Sequence, residues 1–132
     1  MTEQEKMKIA ENFLRGLRDR DAALLRSIMA EDVTWSLPGE SLMSGEASGV
    51  DAILKRAATL ASLNVKIELE YVVYGLRDVA VQLHNTGRSD GKVLDEHLTT
   101  VIHLDAGKIR RLDTFISDVA MLNAYFVGNS AT

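Results

Sequence analysis

The first sixty residues carry apolar side chains at the three- and four-residue spacing of amphipathic helices. One helix is predicted over residues 3–18, and Asp21 can cap a second one directly after it. Ser48 and Asp51 form a capping-box pattern that predicts the start of a third helix. The apolar stripes of these helices are Met7, Ala10, Phe13, Leu14 and Leu17; Leu24, Leu25, Ile28 and Met29; and Val50, Ile53, Leu54, Ala57 and Leu60.

A short strand is predicted between the second and third helices. Residues 32–37 alternate, with Val33, Trp35 and Leu37 on one face. Pro38 and Gly39 end the strand, because proline cannot donate a hydrogen bond to a sheet.

After Asn64 the apolar period changes to two, which predicts successive strands. The first covers residues 65–73 and the second residues 78–88. Asp90 and Gly91 then predict a two-residue hairpin turn, since both tolerate the positive φ that a type I′ turn needs. The expected apolar faces are Val65, Ile67, Leu69, Tyr71 and Val73 in the first strand, and Val79, Val81, Leu83 and Asn85 in the second.

The return strand, residues 93–104, has two chemically different faces. A second reversal at residues 105–108 leads into a last strand over 109–118, in which Gly107 is expected to supply a bulge. A short helix over residues 118–126 follows. The inner face of the return strand is Leu94, Glu96, Leu98, Thr100, Ile102 and Leu104; its outer face is Asp95, His97, Thr99, Val101 and His103; the last strand adds Leu112, Thr114 and Ile116 to the inner face.

Helices followed by a run of antiparallel strands indicate an α+β fold rather than a doubly wound sheet. The length of 132 residues suits one domain, residues 1–132, with a single core.

Composition removes several classes of protein. With 46% hydrophobic and 26% charged residues the chain is typical of a globular protein, and zero cysteines exclude disulfides and thiol chemistry. A net charge of −4 argues against a nucleic-acid surface. Since neither a membrane span nor a signal peptide is recognisable, we expect a cytoplasmic protein without membrane contact.

The order of elements and several short motifs resemble the nuclear-transport-factor-2-like (NTF2-like) superfamily, in particular its SnoaL-like polyketide cyclases and ketosteroid-isomerase-like proteins. The motifs are AEDVTWSLPG (30–39), SG (44–45), GVDAI (49–53), AGKI (106–109) and DTFISD (113–118). The resemblance implies a cystatin-like cone, in which a curved antiparallel sheet wraps around three N-terminal helices and encloses an apolar pocket. It also implies a homodimer that packs through the outer face of the sheet.

The residues that carry out steroid isomerisation in that family are replaced by other residue types at the matching positions of this chain. Where the resemblance places the aspartate base, the tyrosine donor and the protonated aspartic acid, this chain has Leu37, Phe13 and Thr100. Leucine cannot accept a proton and phenylalanine cannot donate one, so this mechanism is rejected.

Glu96 and Asn85 are the most suggestive polar pair. The two-residue turn places them opposite each other on the pocket side, with Cβ atoms about 5 Å apart. A carboxyl group near an apolar pocket can have a raised pKa and act as a general acid or base. The alternative is a solvated pair at the rim that only orders the hairpin.

On the outer face the same register pairs His84 with His97, and Asp113 is expected nearby. Such a cluster could transfer protons or hold a metal, but a hydrogen-bonded network at the dimer interface is the favoured interpretation. His103 lies about 20 Å from His97 along the strand and cannot share a metal with it.

Three further residues each have two interpretations. Trp35 can orient a ligand or simply belong to the core, and Met43 can form a pocket lip or pack. The resemblance to SnoaL-like proteins implies an acid/base residue near the end of the last strand, which could be Asp118 or Asp113, but Asp118 would also be an ordinary helix N-cap.

The sequence therefore predicts a small-molecule enzyme or binding protein that acts on an apolar, cyclic compound by acid/base chemistry without a cofactor or a metal. The alternative is a non-catalytic ligand-binding or dimerisation module. An enclosed carboxyl group with a raised pKa would favour catalysis, and a pocket filled by Phe13, Trp35 and Met43 would favour a scaffold. The candidate residues are Glu96 and Asp118 for catalysis; Phe13, Trp35, Leu37, Asn85, Leu98, Thr100, Thr114 and Ile116 for the ligand; and His84, His97, Thr99, Asp113 and Phe115 for the dimer interface.

Overall fold

The computed structural model describes residues 1–127 and confirms the predicted α+β class. The predicted domain also includes residues 128–132, which lie outside the described residues. In chain order the elements are α1 (Glu3–Asp19), α2 (Ala22–Ile28), β1 (Met29–Leu37), β2 (Gly45–Ser48), α3 (Val50–Ser62), β3 (Lys66–Tyr74), β4 (Val79–Ser89), β5 (Lys92–Asp105), β6 (Lys108–Ile116) and α4 (Val119–Tyr125).

The starts of the helices confirm one prediction and correct another. Asp21 caps α2 as predicted, because its side chain accepts a hydrogen bond of 3.1 Å from the backbone N–H three residues later. The capping box predicted for α3 was wrong: the N-cap is Gly49, at a φ of 86°, and no side chain caps the helix. Ser48 instead belongs to β2, where it pairs with Thr34.

The six strands form one curved sheet in the order β2-β1-β6-β5-β4-β3. Neighbouring strands are antiparallel except for β1 and β6, which run parallel. Two features were not predicted: β1 already begins at Met29, and the four residues of β2 pair with the end of β1 at the edge of the sheet.

The β4–β5 hairpin has the predicted turn and register. Asp90 and Gly91 take φ values of 53° and 79°, the positive values that a two-residue type I′ turn requires. As a result Asn85 pairs with Glu96 across the two strands. The register predicted from sequence is confirmed.

The β5–β6 reversal contains a bulge, but not at the predicted position. Ala106 and Gly107 form a second two-residue turn with φ values of 52° and 79°. The extra residue is Arg110, because the register shifts beyond the first pairs after the turn. This shift lets Ile109 and Leu112 both point into the core.

A second bulge lies in β3 at Glu70, which has no residue opposite it on β4. The bulge reverses the faces of the strand beyond it. Tyr71 and Val73, predicted to share the apolar face, are therefore exposed, and Val72 and Tyr74 pack against the core instead.

The core lies between the helices and the concave inner face of the sheet. Its largest fully buried aliphatic and aromatic side chains include Phe13, Leu14, Leu25 and Ile53 from the helices. Among residues 1–127 no helix is both long enough and apolar enough to cross a membrane.

Candidate functional site

Glu96 and Asn85 lie at the inner face of the sheet, where the β4–β5 register brings them together. Glu96 is 2% exposed and Asn85 is 7% exposed. Neither Glu96 Oε2 nor Asn85 Oδ1 has a hydrogen-bond partner among the described residues. Buried polar atoms are normally paired, so two adjacent orphaned acceptors mark a place where a donor is missing.

The Glu96 carboxyl group is poised to exchange a proton near neutrality. Burial raises its pKa from 4.5 to about 7, and the negative charge of Asp118 contributes to the rise. The cause is physical: a carboxylate loses its hydration when it is buried, so the neutral acid is favoured. A group with this pKa can both accept and return a proton at neutral pH.

Asp118 itself is placed as a helix cap. Its side chain accepts a hydrogen bond of 3.0 Å from the backbone N–H of Met121 and so begins α4. Of the two interpretations of Asp118, the structural one is observed. Its influence on the candidate site is electrostatic, through the pKa of Glu96.

Glu96 and Asn85 border an interior cavity of about 30 Å³. This volume has room for one or two water molecules and for no organic compound of ordinary size. Met43, predicted as a lip, is among the lining residues. The site residues proposed from sequence that line the cavity are Phe13, Trp35, Leu37, Asn85, Glu96, Thr100 and Ile116; Ile67 and Leu83 line it from the predicted apolar strand faces; those not foreseen are Leu17, Leu60, Leu122 and Phe126.

Leu98 and Thr114, also proposed as ligand-binding residues, are buried but do not line the cavity. Thr114 lies behind the cavity lining and is hydrogen-bonded to two of the lining residues. The Trp35 indole N–H donates to Thr114 Oγ1 (2.8 Å), and Thr114 Oγ1 lies 2.8 Å from Thr100 Oγ1. When Thr114 donates to Thr100, the Thr100 hydroxyl proton is free to point into the cavity.

Trp35 is fixed from several sides. Its ring meets that of Phe13 edge to face, with centroids 6.0 Å apart. The Arg56 guanidinium lies 5.2 Å from the Trp35 ring centre and donates to the backbone carbonyls of Trp35 (2.8 Å) and Gly45 (2.7 Å). Burial lowers the pKa of Arg56.

Sequence reasoning missed Arg56, although a signal was present. Arg56 lies three residues after Ile53 and four before Leu60, and this spacing puts it on the buried side of α3. A charged residue in an apolar stripe predicts that its side chain is buried and is hydrogen-bonded to other buried polar groups. Lys6 of α1 is a second case, since its ammonium donates to the carbonyls of Gly75 (2.9 Å) and Leu76 (3.2 Å).

The short helix α4 closes the cavity on one side. Leu122 and Phe126 contribute side chains to the wall, and the Tyr125 hydroxyl donates to the carbonyl of Leu63. The backbone carbonyl of Phe126 accepts from Leu42 (2.9 Å). These bonds tie the C-terminal end of α4 to the residue that follows α3 and to the loop between β1 and β2.

A second group of titratable residues lies on the outer face. The rings of His84 and His97 stack with centroids 4.3 Å apart. His84 Nε2 lies 2.6 Å from Asp95 Oδ1, and His97 Nδ1 lies 3.1 Å from Glu70 Oε1. The hydrogen bond with Asp95 is the main reason that the pKa of His84 is raised.

Asp113 does not join this cluster, contrary to expectation. It is the partner of His103, whose two ring nitrogens lie 2.9 Å from Asp78 Oδ2 and 2.9 Å from Asp113 Oδ2. Burial alone would raise the pKa of Asp113, but hydrogen bonds from Ser36, Arg111 and His103 outweigh burial and lower it.

Glu70, not Asp113, is the carboxylate that lies within reach of both stacked histidines. One ligand atom from each of Glu70, His84 and His97 falls within 4.8 Å of the others. A metal ion lies in the plane of each imidazole that binds it, so the stacked rings would have to rotate to share one ion. In the observed arrangement each histidine of the cluster is hydrogen-bonded to a carboxylate.

The remaining residues proposed for an interface are also on the outer face. Thr99 Oγ1 donates to Gln82 Oε1 (2.6 Å), and Phe115 is 61% exposed. His84, His97, Thr99, Asp113 and Phe115 are therefore accessible from one side of the sheet. Their role in a dimer stays a prediction.

Comparison with known proteins identifies the family to which this chain belongs. The SnoaL-like domain family matches residues 10–112. An uncharacterized protein of Mycobacterium tuberculosis (strain ATCC 25618 / H37Rv) is 26% identical over 130 residues, which cover 96% of this chain and 99% of that protein.

Solved structures agree with this match. An NTF2-like protein from Burkholderia xenovorans LB400 is similar with a TM-score of 0.81 and 25% identity, over 95% of this chain and 98% of that one. TerC, co-crystallized with polyporic acid, is similar with a TM-score of 0.77 and 19% identity, over 92% of this chain and 98% of that one. Helices folded against the concave face of a six-stranded sheet, together with a family match over most of the chain, show that this protein belongs to the SnoaL-like family and has the NTF2-like fold.

Proposed function

We propose that this protein performs general acid/base chemistry on an apolar, cyclic compound, with Glu96 as the group that transfers the proton. The observation that carries the proposal is the buried Glu96 carboxyl group, which has an unpartnered oxygen and a pKa raised to about 7. A structural carboxylate would be paired with a cation or a set of donors.

The chemistry follows from the two protonation states. As a carboxylate, Glu96 removes a proton from a carbon acid or from an attacking water; as the neutral acid, it returns that proton to the product. Isomerisation, dehydration, cyclisation and epoxide hydrolysis all consist of such transfers. Glu96 takes up and returns the proton itself, so these proton transfers require no cofactor.

Two neighbours complete the proposed site. Asn85 Oδ1 is free to accept a hydrogen bond from the compound and so orients it beside Glu96. Thr100, two inward positions further along β5, offers a hydroxyl proton when it accepts from Thr114. Such a donor stabilises negative charge that develops on a ligand oxygen.

The test is a screen of cyclic ketones, epoxides and hydroxylated aromatic compounds, followed by Glu96→Gln on any compound that turns over. We expect kcat to fall by about 10²-fold or more, as for the loss of a general acid/base group. Glu68→Gln is the matched control, because Glu68 is exposed on the outer face. Turnover that survives Glu96→Gln would eliminate Glu96 as the base.

A second measurement needs no substrate. Carbon-detected NMR of the glutamate carboxyl groups should show one residue, absent from Glu96→Gln, that titrates near pH 7. A titration near 4.5 would remove the basis of the acid/base proposal.

The alternative is a non-catalytic module that binds a ligand or only dimerises. The small cavity, filled by Phe13, Trp35 and Met43, favours it. If a ligand is bound but none of the screened compounds turns over, Glu96→Gln should then change only affinity. The structural relative TerC was co-crystallized with polyporic acid, which supports an organic ligand for either function.

We also propose a homodimer that packs through the outer face. The exposed Phe115 ring supports an interface there, as does the nearby row of ionisable side chains. Light scattering at micromolar concentration should give twice the mass of the chain, and Phe115→Glu should reduce it toward that of the monomer. A monomeric wild-type protein would contradict the proposal.

A further inference from the structure

The interior cavity and the surface next to it differ greatly in size. The cavity that contains Glu96 measures about 30 Å³, whereas a groove between α1, α3 and the start of β3 measures about 530 Å³. Small-molecule sites commonly lie between about 300 and 1,000 Å³. The groove, unlike the cavity, can hold the body of an organic compound.

Three side chains separate the groove from the cavity. Leu17, Leu60 and Ile67 line both. They are aliphatic, and each can adopt another staggered rotamer without a change in the backbone. A shift of these three residues would join the two spaces without a change in the sheet.

The groove has apolar walls and a cationic rim. Its eight lining residues include two cations, Arg18 and Lys66, and no carboxylate. This bias is opposite to that of the whole chain, which has 19 acidic and 15 basic residues. Arg18 Nη2 donates to the backbone carbonyl of Ile67 (3.0 Å), which holds the guanidinium at the rim with its other donors free. Neither cation forms a salt bridge within residues 1–127.

We infer that the groove is the binding site for the body of the substrate, and that the substrate is an apolar ring compound carrying a carboxylate. The carboxylate is held at the rim by Arg18 and Lys66, and the ring lies against the aliphatic wall. The opposite end of the compound passes the three separating side chains, and its hydroxyl donates a hydrogen bond to one of the two orphaned acceptors, Asn85 Oδ1 or Glu96 Oε2. This inference rests on the proposed function, because it assumes that the reacting end reaches Glu96.

The charge requirement can be tested with two fluorescent probes that share a ring system. 1-Anilinonaphthalene-8-sulfonate carries an anionic group, and N-phenyl-1-naphthylamine lacks one. Arg18→Gln combined with Lys66→Gln should weaken binding of the anionic probe about fivefold at low salt, the scale of two exposed ion pairs. The neutral probe should change by less than about twofold, since it forms no ion pair with the rim. Lys55→Gln, an exposed lysine of α3 outside the groove, is the control for net charge.

The location can be tested by filling the groove. Ala61 is exposed and lines the groove but not the cavity, so Ala61→Trp should abolish binding of both probes while thermal unfolding stays near that of the wild type. Ala58→Trp puts the same side chain on an exposed position of α3 outside the groove. It should leave both affinities unchanged.

The carboxylate itself is tested by competition. 2-Naphthoate should displace the anionic probe, and inorganic phosphate at the same concentration should not, because phosphate has no apolar body. Displacement by phosphate alone would indicate a simple anion site and overturn the inference. So would equal responses of the two probes to the rim variants, or probe binding that survives Ala61→Trp.

Failure here is distinguishable from failure of the proposed function. The NMR titration of Glu96 involves no residue of the groove. A Glu96 titration near pH 7 with no groove binding overturns only the substrate class and its path. Groove binding together with an ordinary Glu96 titration overturns the acid/base proposal and, with it, the claim that the reacting end is delivered there.

Discussion

On the outer face of β5, Asp95 and His97 each lie within hydrogen-bond distance of an ionisable side chain of another strand, whereas Glu96, between them, has an oxygen with no partner. The three residues are consecutive, so local sequence does not separate them. What differs is solvent. Outside, water and paired charges make ionisation inexpensive, and inside, burial raises the pKa of the carboxyl group.

The difference indicates which face is suited to chemistry and which to cohesion. A cluster in which each histidine already has a carboxylate has little capacity left for a ligand. A buried carboxyl group with an unpaired oxygen can still form a hydrogen bond to a ligand, although its burial lowers the stability of the fold when it is ionised. The predictions that follow remove the partners, or the isolation, that create this contrast.

The largest effect is expected from Glu96→Gln on the pH dependence of stability. In the folded protein the pKa is about 7 instead of 4.5, so the folded state binds the proton more tightly than the unfolded chain. The contribution of Glu96 to the unfolding free energy therefore falls as pH rises from 4.5 to about 7 and changes no further above that. The total is about 3 kcal/mol, since one pKa unit is worth about 1.4 kcal/mol.

Urea unfolding at pH 4.5, 6 and 8 measures this slope. Glu96→Gln should flatten it by about 3 kcal/mol. Glu11→Gln, on the exposed side of α1, should leave it unchanged. An equal slope in the wild type and in Glu96→Gln would mean that the two faces do not differ in the way described.

The second effect concerns the closure of the inner face by α4. A Cβ on Gly87 would lie 2.7 Å from the Tyr125 hydroxyl oxygen and 3.0 Å from the backbone carbonyl oxygen of Asn64. Gly87→Ala should therefore lower the unfolding free energy by roughly 1–3 kcal/mol, as overpacking does. Combining it with Tyr125→Phe removes the closest contact. In thermal or urea unfolding the two losses should then be less than additive, and strict additivity would contradict a clash at this position.

The third effect tests the hydrogen-bonded part of the inner face. Trp35→Phe keeps the aromatic packing but removes the indole N–H that donates to Thr114 Oγ1. We expect a loss of about 1 kcal/mol, the usual contribution of one hydrogen bond. Because Trp35 is the single tryptophan, unfolding should be followed by circular dichroism. In a double-mutant cycle with Thr114→Val, the coupling should account for most of this loss.

The smallest effect is expected on the outer face. Asp95→Asn removes the main cause of the raised pKa of His84, so this pKa should fall toward its usual value. The ion pair stabilises the folded state below that pKa and is lost as pH rises through it, so stability should drop slightly at pH 6 and not at pH 9. Proton NMR of the histidine rings follows the titration. An unchanged His84 titration would show that Asp95 does not set it.

Much of this arrangement could be read from local sequence. The Asp90-Gly91 turn determines which residues of β4 and β5 face each other, and it correctly placed Asn85 opposite Glu96. The caps at Asp21 and Asp118 were also readable, because an N-cap depends on residues within one turn of helix.

The misplaced features depend on contacts between distant parts of the chain. At Glu70 and Arg110 the pairing with the neighbouring strand shifts by one residue. Such a shift depends on both strands, so the sequence of one strand does not predict it. The edge strand β2 is only four residues long and takes its order from β1. The volume of the cavity depends on side chains from distant elements, including Leu122 of α4 and Phe126 just after it, so periodicity could not predict it.

The bulge at Arg110 has a consequence for how this fold can change. Before the bulge, odd-numbered residues of β6 point inward, as Ile109 does; after it, even-numbered ones do, as Leu112 and Thr114 do. One extra residue thus resets the parity of the strand. Deleting Arg110 would remove the bulge and leave Arg111 opposite His103, so Leu112 and Thr114 would still point inward. Inserting one residue between Arg111 and Leu112 would instead exchange inside and outside for the rest of β6, and Thr114 would lose Trp35 while Phe115 turned toward the core. The site should therefore tolerate a change or loss of Arg110 far better than an insertion after Arg111, because its integrity depends on a count of residues as much as on their kind.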